Sequence, residues 1–151
     1  MDGVTLKVIG VVRNGRESTE DSGWGALEST IELKSEFAAG LAGLDSFSHA
    51  LVLFFMHVES LDETPVLVRR PRGREDMPML GVFAQRGRMR PNPIGVTAVE
   101  IVRLEPGRVI VRGLDAIEGT PVLDLKPYVT PFDRRDAKVP TWMGVLMEGY
   151  F

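Results

Sequence analysis

Short runs of β-branched and apolar residues follow one another along this chain, and few of them repeat with the spacing of a helix. Such runs are strand candidates, and they cover residues 6–12, 29–33, 50–58, 96–104, 109–114 and 122–125. Because helices do not alternate regularly with them, a doubly wound parallel sheet is disfavoured. The pattern predicts a mainly β fold, a small antiparallel β-barrel with one or two short helices.

Local signals refine this expectation. Pro106-Gly107 within residues 105–108 predicts a tight turn that joins two of the strands into a hairpin. Residues 50–58 are apolar on both faces, which is typical of a central, fully buried strand. Ser35 is placed to cap one short helix, and Pro140 to open another. Residues 61–79, with three prolines, are predicted to form a long loop.

Length and composition favour one soluble domain over residues 1–151. The absence of cysteine excludes disulfides and thiolate metal sites, and it agrees with a reducing compartment. The longest apolar run, residues 50–56, is too short for a membrane helix, and the first residues do not resemble a signal peptide. We therefore expect a cytoplasmic protein that has no membrane partner.

Charge is distributed unevenly along the chain. The net charge is −3, yet residues 68–90 carry a balance of +5 and the remainder −8. Seven arginines produce this excess: Arg69, Arg70, Arg72, Arg74, Arg86, Arg88 and Arg90. Two interpretations remain open, namely a basic patch that contacts phosphates and a solvated loop whose charges serve solubility.

Residues 81–97 form the most unusual stretch. Two prolines flank Asn92 and restrict its backbone, while Gly87 and Gly95 permit close backbone approach. The alternating arginines 86, 88 and 90 suit recognition of a carboxylate or phosphate. The stretch is either a rigid recognition turn for a polar small molecule or a stiff connector between two strands.

A second stretch spans residues 113–128. Asp124 and Lys126 lie two residues apart on a short strand and therefore share one face. They either pair with each other or serve proton transfer and substrate orientation. His49 and His57 are the only histidines, so no third ligand is in view and a metal site is not expected.

Three blocks of this sequence resemble the TsaA-like, or TrmO, family. They are Phe83-Ala-Gln-Arg…Arg90-Pro-Asn-Pro-Ile-Gly95, Gly119-Thr-Pro-Val-Leu-Asp-Leu-Lys-Pro-Tyr128, and Phe47-Ser-His49 followed by an apolar strand that ends in His57. The resemblance implies a β-barrel, S-adenosylmethionine as methyl donor and a homodimer. It also implies methylation of N6 of N6-threonylcarbamoyladenosine, at position 37 beside the anticodon of tRNA.

The same resemblance implies roles for individual residues. Donor contacts are expected at Met56, His57, Arg86, Val96, Gly113, Leu114 and Asp115, with Trp24 near the place of a missing Pro-Arg-Gln block. Substrate contacts are expected at Arg88, Arg90 and Asn92. Because a ureido-type nitrogen must lose a proton when it is methylated, a nearby carboxylate is needed. Asp124 is the expected base, with Lys126 or Tyr128 orienting the acceptor, and Asp115 is the alternative base.

The chain also departs from the family pattern. Gln85 stands where a small hydroxyl residue is usual, and Gly87-Arg88 stand where Ser-Pro is usual. Two other functions are therefore retained as alternatives. One is a methyltransferase of the same fold that acts on a small-molecule acceptor, and the other is a module that binds S-adenosylmethionine without catalysis.

Overall fold

Strands make up most of the regular structure in the computed structural model, which describes residues 2–57 and 66–151. The strands are β1 (Gly10–Arg13), β2 (Glu28–Leu33), β3 (His49–Phe55), β4 (Val68–Arg69), β5 (Leu80–Gly81), β6 (Ile94–Glu105), β7 (Arg108–Arg112) and β8 (Pro121–Pro127). Two short helices, α1 (Thr130–Asp133) and α2 (Thr141–Leu146), follow. Four 3₁₀ turns span Ser35–Leu41, Leu44–Ser46, Pro71–Gly73 and Val82–Ala84.

Six of these strands close into a barrel in the order β1-β2-β7-β6-β3-β8. Every neighbouring pair is antiparallel, and β4 and β5 form a separate two-stranded sheet. The prediction of a small antiparallel β-barrel is thus confirmed. The predicted hairpin is confirmed as well, because β6 and β7 are joined by a turn at which Gly107 has a φ of 72°.

The core lies inside the barrel, where alternate residues of each strand point. Its most deeply buried members include Val12, Ile31, Val52, Val99, Val109, Val111 and Val122. Branched aliphatic side chains suit this position because they pack well on a pleated surface.

The prediction that both faces of the strand at residues 50–58 are buried is wrong. Ala50, Val52 and Phe54 are buried, whereas the residues between them are only partly covered. An antiparallel barrel strand has one face inside and one outside, so apolar residues on both faces leave an apolar outer surface. The strand ends at Phe55, and Val58 lies outside the described residues.

Other predicted boundaries shift. Regular pairing of β1 begins at Gly10 instead of residue 6, and Val4 and Leu6 are exposed. The predicted loop 61–79 contains β4 and one 3₁₀ turn, while residues 61–65 lie outside the described part. The predicted cap at Ser35 is also wrong, since Lys34 occupies the cap position of a 3₁₀ turn and no side chain caps it.

Chain connections close both ends of the barrel. One end, here named the upper mouth, contains the ends of β1, β3 and β7 and the beginnings of β2, β6 and β8. Because β7 and β8 lie on opposite sides, the connection 113–120 crosses the upper mouth, and Leu114 and Ala116 bury their side chains beneath it. Connection 34–48 crosses the opposite, lower mouth between β2 and β3 in the same way.

Candidate functional site

A gap opens in the barrel wall at the upper mouth. β6 pairs with β7 only from Glu100 to Glu105, whereas its first half, residues 94–99, pairs with β3 on its other side. Gly113, with a φ of 89°, turns the chain away from β6, and its N–H donates to the carbonyl of Leu27 at 3.1 Å. Few residues other than glycine adopt that φ readily. The gap therefore lies between residues 94–99 and the connection 113–116.

Two opposite charges converge at this gap. The Arg86 Nη2 donates to the carbonyl of Val96 at 2.8 Å, and the Thr97 hydroxyl donates to Oδ1 of Asp115. Val96 and Thr97 are consecutive residues of β6, so their Cα atoms are about 3.8 Å apart. A guanidinium and a carboxylate thus bind to consecutive residues of one strand. Such an arrangement suits a small ligand that carries both an anionic and a cationic or hydrogen-donating group.

The second oxygen of Asp115 is also engaged. The Tyr150 hydroxyl donates to Oδ2 of Asp115. Burial and then the negative charge of Asp115 raise the pKa of the Tyr150 phenol well above its usual range, so the hydroxyl stays a donor. The sequence does not predict this contact, because a contact between residues 35 positions apart has no periodic signal that reveals it.

The stretch 81–97 contributes Arg86 from a turn that is tied together internally. Gln85 is buried, and its Nε2 donates to the carbonyls of Arg69 and Leu80 at 2.9 and 3.0 Å. The Arg90 Nη1 donates to the carbonyls of Gln85 and Gly87 at 3.0 and 3.3 Å. Arg90 thus stabilises the turn, whatever contact it makes with a substrate.

The remaining expected substrate residues flank this turn. Arg88 is half-buried, and Asn92 is exposed just before β6, where its carbonyl accepts from the N–H of Ile94 at 2.7 Å. The turn and the beginning of β6 therefore bring Arg86, Arg88 and Asn92 into the same region of the chain. Their expected contacts with a substrate remain predictions.

The other residues expected at the donor gather at the same end of the barrel. The N–H of Met56 donates to the carbonyl of Pro93 at 2.8 Å, which ties the end of β3 to the beginning of β6, and His57 follows it exposed. Trp24 lies in the β1–β2 connection and is only 3% exposed. The guanidinium carbon of Arg16 lies 3.4 Å from the centroid of the Trp24 ring, and the indole N–H donates to the carbonyl of Glu20 at 2.9 Å.

Asp124 lies on the outer face of the barrel in one row with Val96. Leu53 of β3 pairs with Asp124 on one side and with Val96 on the other. Strands in a sheet are nearly 5 Å apart, which places the Cα atoms of Asp124 and Val96 roughly 10 Å apart. Lys126 Nζ lies 3.0 Å from Asp124 Oδ2, so the predicted pairing within the strand is confirmed.

Tyr128 lies farther from the gap. It follows the end of β8 towards the lower mouth, where its ring centroid is 6.2 Å from that of His49. The three expected catalytic residues therefore do not converge on one point: Asp124 and Lys126 form a pair, while Tyr128 stands beside the beginning of β3.

A separate hollow of about 520 Å³ lies at the lower mouth. Its walls are mainly apolar and include Ile9, Leu33, Phe37, Leu44, Phe47 and Leu125, with Asp124 at one side. The charges that converge on β6 lie at the other end of the barrel, so we place the candidate site at the upper mouth. Within residues 2–57 and 66–151, no group of three metal-ligating side chains is close enough to hold a metal ion.

Comparisons with known proteins show what this chain is similar to. Residues 18–134 match the family described as the tRNA-methyltransferase O N-terminal domain. An S-adenosyl-L-methionine-binding protein from Archaeoglobus fulgidus is 37% identical over 132 residues, which are 85% of this chain and 91% of that protein. A tRNA (adenine(37)-N6)-methyltransferase from Mus musculus is 41% identical over 93 residues, 62% of this chain but 21% of the mouse protein.

Solved structures show the same likeness. The crystal structure of TrmO from Pseudomonas aeruginosa matches with a TM-score of 0.75 and 31% identity, covering 94% of this chain. This chain spans 62% of the length of that TrmO chain. In the described residues, no helix is long and apolar enough to cross a membrane.

Proposed function

This chain belongs to the tRNA-methyltransferase O N-terminal domain family, and from that premise we propose that it is a cytoplasmic S-adenosylmethionine-dependent methyltransferase. Its acceptor in this proposal is N6 of N6-threonylcarbamoyladenosine beside the tRNA anticodon. The observation that carries the proposal is the convergence of Arg86 and Asp115 on two consecutive residues of β6.

The residues at the gap match the chemistry of the methyl donor. Arg86 provides a guanidinium for the carboxylate of its methionine part, and Asp115 accepts from its ammonium or ribose hydroxyls. Met56 and Val96 supply apolar surface. His57 and Gly113 belong to the expected set, as do Leu114 and Trp24, whose side chains are buried. When bound, the donor supplies a methyl group activated by the sulfonium.

The chain itself must align the acceptor and remove its proton. Alignment of reacting groups is the main source of rate in a displacement of this kind. Asp124 is the proposed base, because it shares the outer face with Val96 and holds its ionic partner Lys126 at 3.0 Å. Asp115 is the alternative base at the gap, and Tyr128 orients the acceptor only if the acceptor extends along β8.

An exposed aromatic ring beside arginines supports an RNA substrate. Phe83 is 81% exposed on the turn Val82–Ala84, which is held by the N–H of Val82 donating to the carbonyl of Leu67 at 2.9 Å. RNA loops are commonly bound by aromatic stacking on unpaired bases together with cations at the phosphates. Arg90, whose guanidinium donates to the carbonyls of Gln85 and Gly87, supplies a cation close to this turn.

Not every arginine of the basic stretch is equally available. Arg72 pairs with Asp21 at 3.2 Å and Arg74 pairs with Asp76 at 2.6 Å, so carboxylates compensate both charges. The described hydrogen bonds of Arg69, Arg86 and Arg90 instead go to carbonyl or thioether acceptors, which leave the positive charge uncompensated. Phosphate contacts are therefore expected near residues 83–90.

A homodimer is part of the proposal. Six apolar side chains form a continuous outer patch on β3 and β6, named here the apolar face: Leu51, Leu53, Phe55, Ile94, Val96 and Ala98. Ile94 and Val96 are 39% and 41% exposed. The outer sides of β2 and β7 are instead charged, with Arg112 bridging Glu28 and Glu100. Because Val96 also borders the gap, a second copy on this face would lie beside the donor.

Mass spectrometry of tRNA nucleosides after incubation with the purified protein and labelled donor tests the proposed function. We expect label in N6-threonylcarbamoyladenosine, and loss of that label in an Arg86→Ala variant. Donor binding without transfer to tRNA would favour the small-molecule acceptor or the non-catalytic module. Failure to bind the donor at all would overturn the proposal.

A further inference from the structure

Asp115 is held from two sides by hydroxyl groups that come from distant parts of the chain. The Thr97 hydroxyl approaches Oδ1 from β6, and the Tyr150 hydroxyl approaches Oδ2 from the segment after α2. An ionised carboxylate accepts about four hydrogen bonds, so one acceptor direction remains on each oxygen. Because each oxygen has one fixed partner, the two hydroxyl groups set the plane of the carboxylate and leave one acceptor direction on each oxygen for a ligand.

Tyr150 is itself anchored to the upper mouth by its backbone. The N–H of Trp24 donates to its carbonyl at 3.0 Å, and the N–H of Gly23 donates to the carbonyl of Gly149 at 3.2 Å. A Cβ at Gly25 would stand 2.6 Å from the carbonyl carbon of Phe151, so only glycine permits this approach. The β1–β2 connection thus holds residues 149–151 through backbone hydrogen bonds and close packing.

Arg72 ties the same segment to the loop that precedes β5. Its Nη1 donates to the carbonyl of Leu146 at 2.7 Å, and its guanidinium carbon lies 5.7 Å from the centroid of the Tyr150 ring. Arg72 has a φ of 53°, a conformation that is costly for a residue with a side chain. Several contacts therefore hold this residue where it can reach both Tyr150 and Asp21.

We propose that Tyr150 is a positioning residue for the methyl donor, acting through Asp115. The inference rests on the proposed function, in which Asp115 accepts from the donor. Without the Tyr150 hydroxyl, the Asp115 carboxylate loses its fixed plane and must be reoriented by the ligand. The cost of that reorientation reduces donor affinity, whereas alignment of the acceptor along the outer face is unaffected.

Calorimetric titration with S-adenosylmethionine tests this with Tyr150→Phe, which removes the hydroxyl and keeps the ring. We expect the dissociation constant to rise roughly 5- to 10-fold. This is less than the full effect of losing a hydrogen bond to a charged group, because only part of that energy is transmitted to the ligand. The KM for the donor should rise in parallel, with kcat at saturating donor retained. In an Asp115→Asn background, the same change should cause no further loss, because the two residues act as one unit.

Thr120→Val is the matched control. It removes a buried hydroxyl that donates to the carbonyl of Ile117 at 2.8 Å on the same connection, without touching Asp115. It should reduce the free energy of unfolding and leave donor affinity unchanged.

Two outcomes overturn the inference but not the proposed function. One is unchanged donor affinity in Tyr150→Phe. The other is an equal loss of donor affinity when Tyr150→Phe is introduced into the unaltered protein and into the Asp115→Asn variant. Absence of donor binding by the unaltered protein instead overturns the proposed function, and this inference with it.

Discussion

Gly95 of β6 lies directly opposite Phe54 of β3, with the aromatic ring packed where the side chain of any other residue would be. Both residues face the barrel interior at the upper mouth. A methyl group at Gly95 would overlap several atoms of the ring. The ring and the bare backbone therefore define the inner wall next to Val96 and Thr97.

Replacing Gly95 with alanine should accordingly destabilise the protein. Alanine is otherwise better than glycine within a strand, so the loss measures overpacking against Phe54. We expect the free energy of unfolding in urea to fall by about 1–3 kcal/mol. Donor binding should weaken too, because Val96 and Thr97 shift with the strand.

Gly144→Ala is the matched control for this substitution. Gly144 lies within α2, and among the described residues nothing beyond its chain neighbours and its own helix backbone comes within 4 Å of a Cβ placed there. Alanine should stabilise that helix by about 0.5–1 kcal/mol. If Gly95→Ala were equally harmless, the close packing of Phe54 against β6 would be wrong.

The pH dependence of stability should reveal Tyr150. Burial and then the charge of Asp115 raise the pKa of Tyr150 in the folded protein, while in the unfolded chain it is about 10. Above that pH the unfolded state releases a proton that the folded state retains, so stability declines by about 1.4 kcal/mol per pH unit. The stabilisation is fully present below pH 10 and is lost above it.

Tyr150→Phe supplies the comparison, because phenylalanine does not titrate. The difference in free energy of unfolding between the two proteins should become smaller between about pH 10 and pH 11. Absorbance of tyrosinate in the folded state should be the same for both, since Tyr150 remains protonated there. A tyrosinate signal that appears near pH 10 in the folded protein and is missing in Tyr150→Phe would show that the Tyr150 phenol is not buried against Asp115.

Much of the barrel could be predicted from sequence because strand patterns are local. The turn at Pro106-Gly107 and the hairpin around it needed only neighbouring residues. The outer face of β3 could not be assigned in the same way, since Leu51 and Leu53 are as apolar as the core. Only the closure of the sheet decides which apolar side points outwards.

The residues of the candidate site differ in the same way between local and long-range signals. Arg86 and Asp115 were expected from motifs that lie within short stretches. Tyr150 was not expected at Asp115, because that contact depends on how the last segment returns from the lower mouth to the β1–β2 connection. Trp24 was expected at the donor because it lies near the place of the missing Pro-Arg-Gln block, and that role stays a prediction; in the structure its indole N–H donates to the carbonyl of Glu20.

Ala98→Arg should disrupt the proposed homodimer. Ala98 is exposed at one end of the apolar face, where it pairs with Leu51, so a charge there would be buried without a partner in a dimer. Light scattering at micromolar concentration should change from dimer to monomer. The free energy of unfolding of the monomer should remain within about 0.5 kcal/mol, as for most surface changes.

Thr30→Arg, on the outer side of β2, should leave the dimer intact. Thr30 pairs with Arg13 and Ile110 on a side of the barrel away from the apolar face. A monomeric unaltered protein would contradict the dimer itself, whereas a dimeric Ala98→Arg variant would show that another surface mediates it.

Phe83→Ala should weaken binding of tRNA. The ring is 81% exposed and contributes little to folding, so its removal tests contact with a partner. Loss of one stacked base corresponds to about 1–3 kcal/mol, or roughly a 5- to 150-fold rise in the dissociation constant. The slope of affinity against salt should stay the same, because stacking involves no phosphate. Phe132→Ala provides the control, since Phe132 is 75% exposed on α1 beyond β8.

Filter binding with unmodified and N6-threonylcarbamoyl-modified tRNA across a salt series would measure both the affinity and its dependence on salt. Equal affinities for the two phenylalanine variants would show that the turn at residues 82–84 does not receive the RNA.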